Sequence, residues 1–215
     1  MFVFKAAVVG AGTMGGQIAQ TIAAAGIPVV LKDVQDELVE AGLAEARKVT
    51  AGQVGKLVER GKLDRDAADL QVASVVDRIH GTTEYEGFGD VDFVIEAVPE
   101  RMEIKRAVFE DLDAVTPGHA ILASNTSSLS VTEIGEATSR PEKVCGFHYF
   151  SPASVMRQTS ESAEFRMRLT TKPGTSAHVI GILRIVCAKA TAACSVSASV
   201  SSPSTTSIRR MTDAG

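Results

Sequence analysis

No stretch of this chain approaches the ~20 consecutive apolar residues that a membrane-spanning helix needs, so no membrane span is expected. The N-terminus has neither a basic region nor a small-residue cleavage site. Met1 leads almost directly into the apolar Ala6-Ala7-Val8-Val9, which argues against a secretory leader. Cysteine is scarce: Cys145, Cys187 and Cys194 are an odd number without metal-like spacing. They read as reduced thiols of a cytoplasmic protein, and no metal is expected. A net charge of −4 gives no reason to expect nucleic acid.

Acidic residues are missing altogether between Glu164 and Asp213. Residues 1–156 carry 14 Lys/Arg against 23 Asp/Glu, a net charge of −9, whereas residues 157–215 carry 8 against 3, a net charge of +5. The run from Ser195 to Ser207 is built from Ser, Thr, Ala, Val and Pro. It has little large apolar area to bury and is expected to be poorly ordered. The overall 45% hydrophobic content is ample for a core. The expectation is one well-made domain over 1–156, followed by an atypical Ser/Thr/Ala-rich tail over 157–215.

What the first domain has is a glycine signature in register. Apolar Ala6-Ala7-Val8-Val9 suits a buried parallel strand, and Gly10-Ala11-Gly12-Thr13-Met14-Gly15 follows at once. A helical segment then runs to Ala25, Gly26 and Pro28 end it, and Val29-Val30-Leu31 reads as a second strand closing at Asp33. Gly10 permits the tight turn, Gly12 lets backbone approach a pyrophosphate, and Gly15 lets the helix pack close to the strand. The helix N-terminus offers unpaired N–H groups to phosphates. Asp33, 18 residues past Gly15, is placed to accept both ribose hydroxyls of an adenosine. Its charge repels a 2′-phosphate, so the expected cofactor is NAD rather than NADP.

Further along, a helical segment runs from Glu37 to Arg60, with Gly42, Gly52 and Gly55 weakening it. Asp64 is a plausible N-cap for a short helix to Leu70, and Ile79–Thr83 reads as an edge strand. Phe93-Val94-Ile95 and Ala120–Ala123 are buried strands, and Met102–Leu112 is an amphipathic helix. Ser130 caps a short helix to Ala137, with Glu133 placed for a capping box, and Val144–His148 makes a sixth strand. Strands alternating with helices imply an α/β fold, a Rossmann-type doubly wound parallel sheet whose ligands sit beyond the strand C-termini.

Those C-termini collect the polar residues. Glu96 and Glu100 follow the fourth strand, Ser124–Ser128 the fifth, and His148 the sixth. An imidazole there can take the proton of an alcohol as hydride leaves its carbon, or be a structural histidine at a strand end. His80, His119 and His178 suit solvent-facing roles. The Ser124–Ser128 cluster, Ser127 included, offers hydroxyls and amides to a nicotinamide ribose or a substrate oxygen, or caps the next helix. Glu100 and Lys105 either bond the cofactor's nicotinamide half or form one ion pair on a solvated helix face.

Taken in order, Gly10–Gly15, Phe93-Val94-Ile95-Glu96-Ala97-Val98-Pro99-Glu100, Ser124-Asn125-Thr126-Ser127-Ser128-Leu129 and Gly146-Phe147-His148-Tyr149-Phe150-Ser151-Pro152 resemble the L-3-hydroxyacyl-CoA dehydrogenases over residues 3–156. The resemblance implies NAD-dependent oxidation of (S)-3-hydroxyacyl-CoA to 3-oxoacyl-CoA, in fatty-acid β-oxidation or short-chain acyl-CoA metabolism. It implies that His148 is the general base and that Ser127 contacts substrate or nicotinamide. Gly10, Gly12, Thr13, Met14 and Gly15 would carry the pyrophosphate, Asp33 the adenosine ribose, and Glu100 and Lys105 would line the cofactor site. Other NAD-dependent hydroxy-acid dehydrogenases share Gly-x-Gly-x-Met-Gly, but the Gly146–Pro152 motif argues against them.

Beyond Met156 the resemblance fades. Gln158 and Ser160 stand where the family has leucine and the glutamate that orients its histidine, and Glu161 lies one position late. On an extended segment that slip turns a side chain to the other face. The helical domain through which family members dimerise and close over the acyl-CoA is not recognisable. Thr175–Val186 is faintly similar to the helix expected after the histidine loop, and Pro203–Met211 to the entry of that second domain. A shifted reading frame, a truncated gene or a diverged tail would each give this pattern. The expectation is a chain that keeps its cofactor loop but turns over poorly, the alternative being a non-catalytic NAD-binding remnant.

Overall fold

The computed structural model describes residues 3–149, together with the backbone of 167–172 and 175–179. Six short strands form one parallel sheet: β1 (Ala6–Val9), β2 (Val29–Lys32), β3 (Ile79–Thr82), β4 (Phe93–Glu96), β5 (Ile121–Ser124) and β6 (Val144–Gly146). Their spatial order is β3-β2-β1-β4-β5-β6, every pair parallel. Order reverses between β1 and β4, which is the switch point where a doubly wound sheet opens a crevice.

Alternation along each strand builds two cores. Ala6, Val8, Val29, Leu31 and Ile95 pack with Ile18, Ala19 and Ile22 of α1 (Thr13–Ala24), Ala46 of α2 (Asp36–Glu59) and Val75 of α3 (Arg65–Val76). On the other face Ala7, Val9, Val30, Val94 and Leu122 pack with Phe109 and Leu112 of α4 (Met102–Val115) and Ile134 of α5 (Val131–Gly135). Helices on both faces explain why the central strands are wholly buried and read as continuous apolar runs.

Helix starts follow the sequence closely. Asp64 accepts from Ala67 N at 2.7 Å and Ser130 from Glu133 N at 3.3 Å, each serving as the N-cap. Helix extents differ more. The third helix runs to Val76 rather than Leu70, and the fourth to Val115 rather than Leu112. The second helix is continuous through all three of its glycines. Gly42 has a packing reason, since a Cβ there would lie 2.6 Å from Ala11 O. The absence of a side chain lets α2 lie against the glycine loop, which offsets the propensity cost.

Within the 157–215 stretch, β7 (Met167–Lys172) and β8 (Thr175–Val179) pair antiparallel as a separate two-stranded sheet. β8 falls where Thr175–Val186 has a faint likeness to a helix, and its pairing with β7 makes Thr175–Val179 a strand instead. Gln158, Ser160 and Glu161, and the Ser195–Ser207 run, lie outside the described residues.

Candidate functional site

Parallel register places the strand ends in a row: Val9 pairs with Lys32 and with Glu96, Glu96 with Ser124, and Ser124 with Gly146. Every segment leaving that row carries residues singled out above. The glycine loop leaves β1, Asp33 follows β2, Glu100 lies beyond β4, Asn125–Ser128 follow β5 and His148 follows β6.

Gly10 has φ +99°, a conformation that favours glycine, and a Cβ there would lie 2.6 Å from Ala97 O. Gly15 is tighter still, its Cβ falling 1.7 Å from Gly10 O. At Gly12 a Cβ would meet no protein atom within 4 Å. Gly12 and Thr13 are exposed, and Met14 is half-buried. Gly12 is also the N-cap of α1, without a side-chain cap, and the first turn holds no acid. Open space beside uncapped helical N–H groups fits a pyrophosphate.

Asp33 is anchored before any ligand enters. Its Oδ2 accepts from Ala11 N at 2.6 Å and its Oδ1 from Val34 N at 2.7 Å. A carboxylate has about four acceptor positions, so two remain for ribose hydroxyls. The side chain therefore couples the end of β2 to the glycine loop.

Glu100 and Lys105 do form an ion pair, at 3.3 Å, but not on a solvated face. Lys105 is wholly buried and donates to Glu96 at 2.7 and 3.0 Å. Glu96, also wholly buried, further accepts from Val98 N at 2.7 Å and from Ser124 Oγ at 2.6 Å. Removing one partner from a pair this buried costs about 3–5 kcal/mol. Glu100 accepts from Thr126 Oγ1 at 2.5 Å and from Ser127 N at 3.0 Å. Burial pushes its pKa up. The Thr126 hydroxyl, the Lys105 ammonium and the Ser127 amide outweigh that and hold the carboxyl at about 2.

The Ser124–Ser128 segment is not the cap of the next helix; Ser130 fills that role. Instead Thr126 Oγ1 accepts from Leu129 N at 2.9 Å, folding the loop so that Ser127 is exposed. His148 is half-buried past the end of β6, and both of its neighbours are held. Phe147 N donates to Ser124 O at 2.9 Å, and Tyr149 N donates to Asn125 Oδ1 at 2.7 Å. The Phe147 ring packs edge-on to Phe93 with centroids 5.6 Å apart. Of the other histidines, His80 is exposed within β3 and His119 is exposed beside Asp92 at 3.3 Å. The side chain of His178 lies outside the described residues.

Glu96 and Asn125 are the residues whose part in the site the sequence reading missed. One signal existed: a carboxylate ending an apolar strand needs a buried cation, and Lys105 is nine residues on. Among the described residues no group of three His, Cys, Asp or Glu is placed to hold a metal, and no helix is long and apolar enough to cross a membrane.

The chain matches the family model for the NAD-binding domain of 3-hydroxyacyl-CoA dehydrogenase over residues 5–194, a span that runs past Met156. Among solved structures it resembles (S)-3-hydroxybutyryl-CoA dehydrogenase PaaH1 from Ralstonia eutropha, with 36% identity and a TM-score of 0.63 over 72% of this chain and 52% of that one. A 3-hydroxybutyryl-CoA dehydrogenase from Escherichia coli K12 is 36% identical, with a TM-score of 0.61 over 73% of this chain and 31% of that one. A third, 5-formyl-3-hydroxy-2-methylpyridine 4-carboxylic acid 5-dehydrogenase, is 28% identical, with a TM-score of 0.54 over 71% and 46%. The chain thus spans about half the length of the R. eutropha relative. On the family-model match and these identities, the chain belongs to the 3-hydroxyacyl-CoA dehydrogenase family, and the matched region is that family's NAD-binding domain.

Proposed function

We propose that the chain serves the NAD-dependent oxidation of (S)-3-hydroxyacyl-CoA to 3-oxoacyl-CoA, in cytoplasmic fatty-acid β-oxidation or short-chain acyl-CoA metabolism. The observation that supports this reading is the row of strand ends, since the glycine loop, Glu100, the Ser127 loop and His148 leave four strands at the same edge of the sheet. Residues 1–156 form the dinucleotide-binding unit. Residues 157–215 form a tail of different composition.

Gly10, Gly12, Thr13, Met14 and Gly15 hold the pyrophosphate, Asp33 takes the adenosine ribose hydroxyls, and Glu100 with Ser127 meets the nicotinamide half. Bound NAD supplies the hydride acceptor. A ring nitrogen of His148 takes the proton from the 3-hydroxyl as the carbonyl forms, so charge does not build up on the oxygen. Ser127 Oγ, on its exposed turn, orients that oxygen.

The test is acetoacetyl-CoA-dependent NADH consumption, with NADH affinity measured alongside. His148→Ala is expected to lower turnover by about 10²–10⁴-fold and to leave NADH affinity unchanged. Loss of NADH binding with early melting would mark His148 as a structural residue instead. Ser160, at the family's glutamate position, favours a second reading in which the chain binds NAD without turnover. NADH binding with no consumption of acetoacetyl-CoA would decide for it. The 28%-identical pyridine-carboxylate dehydrogenase supports a variant of the first reading, with another hydroxyl-bearing substrate.

A further inference from the structure

Among the described residues, Glu96 and Lys105 are the charged side chains with no exposed surface at all. The Lys105 ammonium is used up internally, by both Glu96 oxygens, by Val98 O at 3.4 Å and by Glu100 Oε2 at 3.3 Å. A well-packed apolar pair of similar volume is commonly as stable as a buried ion pair, so stability alone does not account for this one. What the pair supplies is direction. Glu96 is fixed by Val98 N and Ser124 Oγ, Lys105 is fixed by Glu96, and Lys105 draws Glu100 Oε2 inward.

The other Glu100 oxygen then spreads over the loop between β5 and α5. Oε1 accepts from Thr126 Oγ1 at 2.5 Å, Ser127 N at 3.0 Å, and Ser128 N and Oγ at 3.3 Å. Two consecutive loop amides face one carboxylate oxygen, and the Ser127 side chain is left on the exposed side of the turn.

We infer that Glu96 and Lys105 are positioning residues: the buried pair fixes the Glu100 carboxylate, and Glu100 fixes the Thr126–Ser128 loop that meets the nicotinamide half of the cofactor. The inference rests on the NAD site proposed above. Acting at one end of the crevice, the pair governs affinity for the nicotinamide half and leaves the adenosine half, held by Gly12 and Asp33, untouched.

Two variants of the whole 215-residue chain test this. Glu96→Gln removes the anchor, and Glu96→Gln/Lys105→Met removes both buried charges together, so that no lone charge is left to unfold the protein. In both, Ser127 and Ser128 amide hydrogens are expected to exchange about tenfold faster or more, while amides of β1 and α1 keep their rates. Kd for NADH should rise about tenfold, and Kd for ADP, which probes only the adenosine half, should stay within about twofold. Unchanged Ser127 and Ser128 exchange would overturn the inference. So would NADH and ADP affinities falling together, or faster exchange with NADH affinity intact. Failure of the unaltered chain to bind NADH would sink the functional reading, and amide exchange in the variants would still decide the positioning claim.

Discussion

Asn125 Oδ1 accepts from Tyr149 N at 2.7 Å, so a side chain of the β5 loop holds the backbone immediately after His148. On the other side, Phe147 N is held by Ser124 O at 2.9 Å. The loop that carries Ser127 and the strand end that carries His148 are thus one hydrogen-bonded unit. Asn125→Ala removes the acceptor and should cost about 1 kcal/mol of stability, read as a lower denaturation midpoint. A base displaced by about 1 Å can lose up to about 10²-fold in rate, so turnover should fall with NADH affinity unchanged. Asn125→Asp keeps an acceptor oxygen and should restore most of the turnover. An Asp variant as impaired as the Ala variant would mean that the contact does not place His148.

The alternation of strands and helices, the parallel doubly wound sheet and the glycine loop were legible because each rests on local rules: apolar runs, punctuating glycines, and an acid at a fixed distance. Asp64 and Ser130 were legible as caps for the same reason. The rest depended on contacts between distant residues. Gly42 argued against a continuous helix by propensity, and only its approach to Ala11 O shows why it is there. Spacing leaves Glu100 and Lys105 between a cofactor contact and a solvated ion pair, and only the contacts of Glu96 show that Lys105 is drawn fully inside. Asn125 looked like one polar loop residue among several, and its partner lies 24 positions away.

Cofactor choice follows from Asp33. In the proposed site its carboxylate takes the adenosine ribose hydroxyls, and the following Val34 is exposed and uncharged. NADH should bind at least about tenfold tighter than NADPH, about 1.4 kcal/mol or more. Because Asp33 Oδ2 also holds Ala11 N, Asp33→Ala should weaken NADH itself as well as narrow the preference. Fluorescence titrations with both nucleotides measure the two effects. Equal affinities in the unaltered chain would exclude this role for Asp33.

Glu100 predicts a pH dependence of stability. Its carboxyl is held at about 2 in the folded chain, below its ordinary value of 4.5. A lowered folded pKa contributes stability that is fully present above the ordinary value and lost as pH falls through the folded one. The advantage of the unaltered chain over Glu100→Gln should therefore be constant above about pH 4.5 and shrink toward pH 2. Because the Glu100 side chain is 37% exposed, solvent screening reduces the size of the effect. Urea midpoints of both proteins across that window provide the measurement. A difference that does not move with pH would mean that Glu100 is not held as an anion by its loop partners.

The glycine loop separates folding from binding within three residues. At Gly15 a Cβ would lie 1.7 Å from Gly10 O, and neither backbone can retreat without parting α1 from β1. Gly15→Ala should therefore destabilise the fold severely, by about 4 kcal/mol or more, and melt early whatever ligand is added. Gly12 has φ −63° and ψ −175°, an extended conformation open to alanine, and a Cβ there meets nothing within 4 Å. Gly12→Ala should fold with stability within about 1 kcal/mol of the unaltered chain. Its methyl group projects into the space where backbone has to approach a pyrophosphate, so NADH affinity should drop by about tenfold or more. Thermal melts and NADH titrations of the two variants, run side by side, read the contrast directly. A Gly12→Ala protein that binds NADH as tightly as the unaltered chain would move the pyrophosphate away from this loop, and the assignment of Gly10–Gly15 as its cradle would fall.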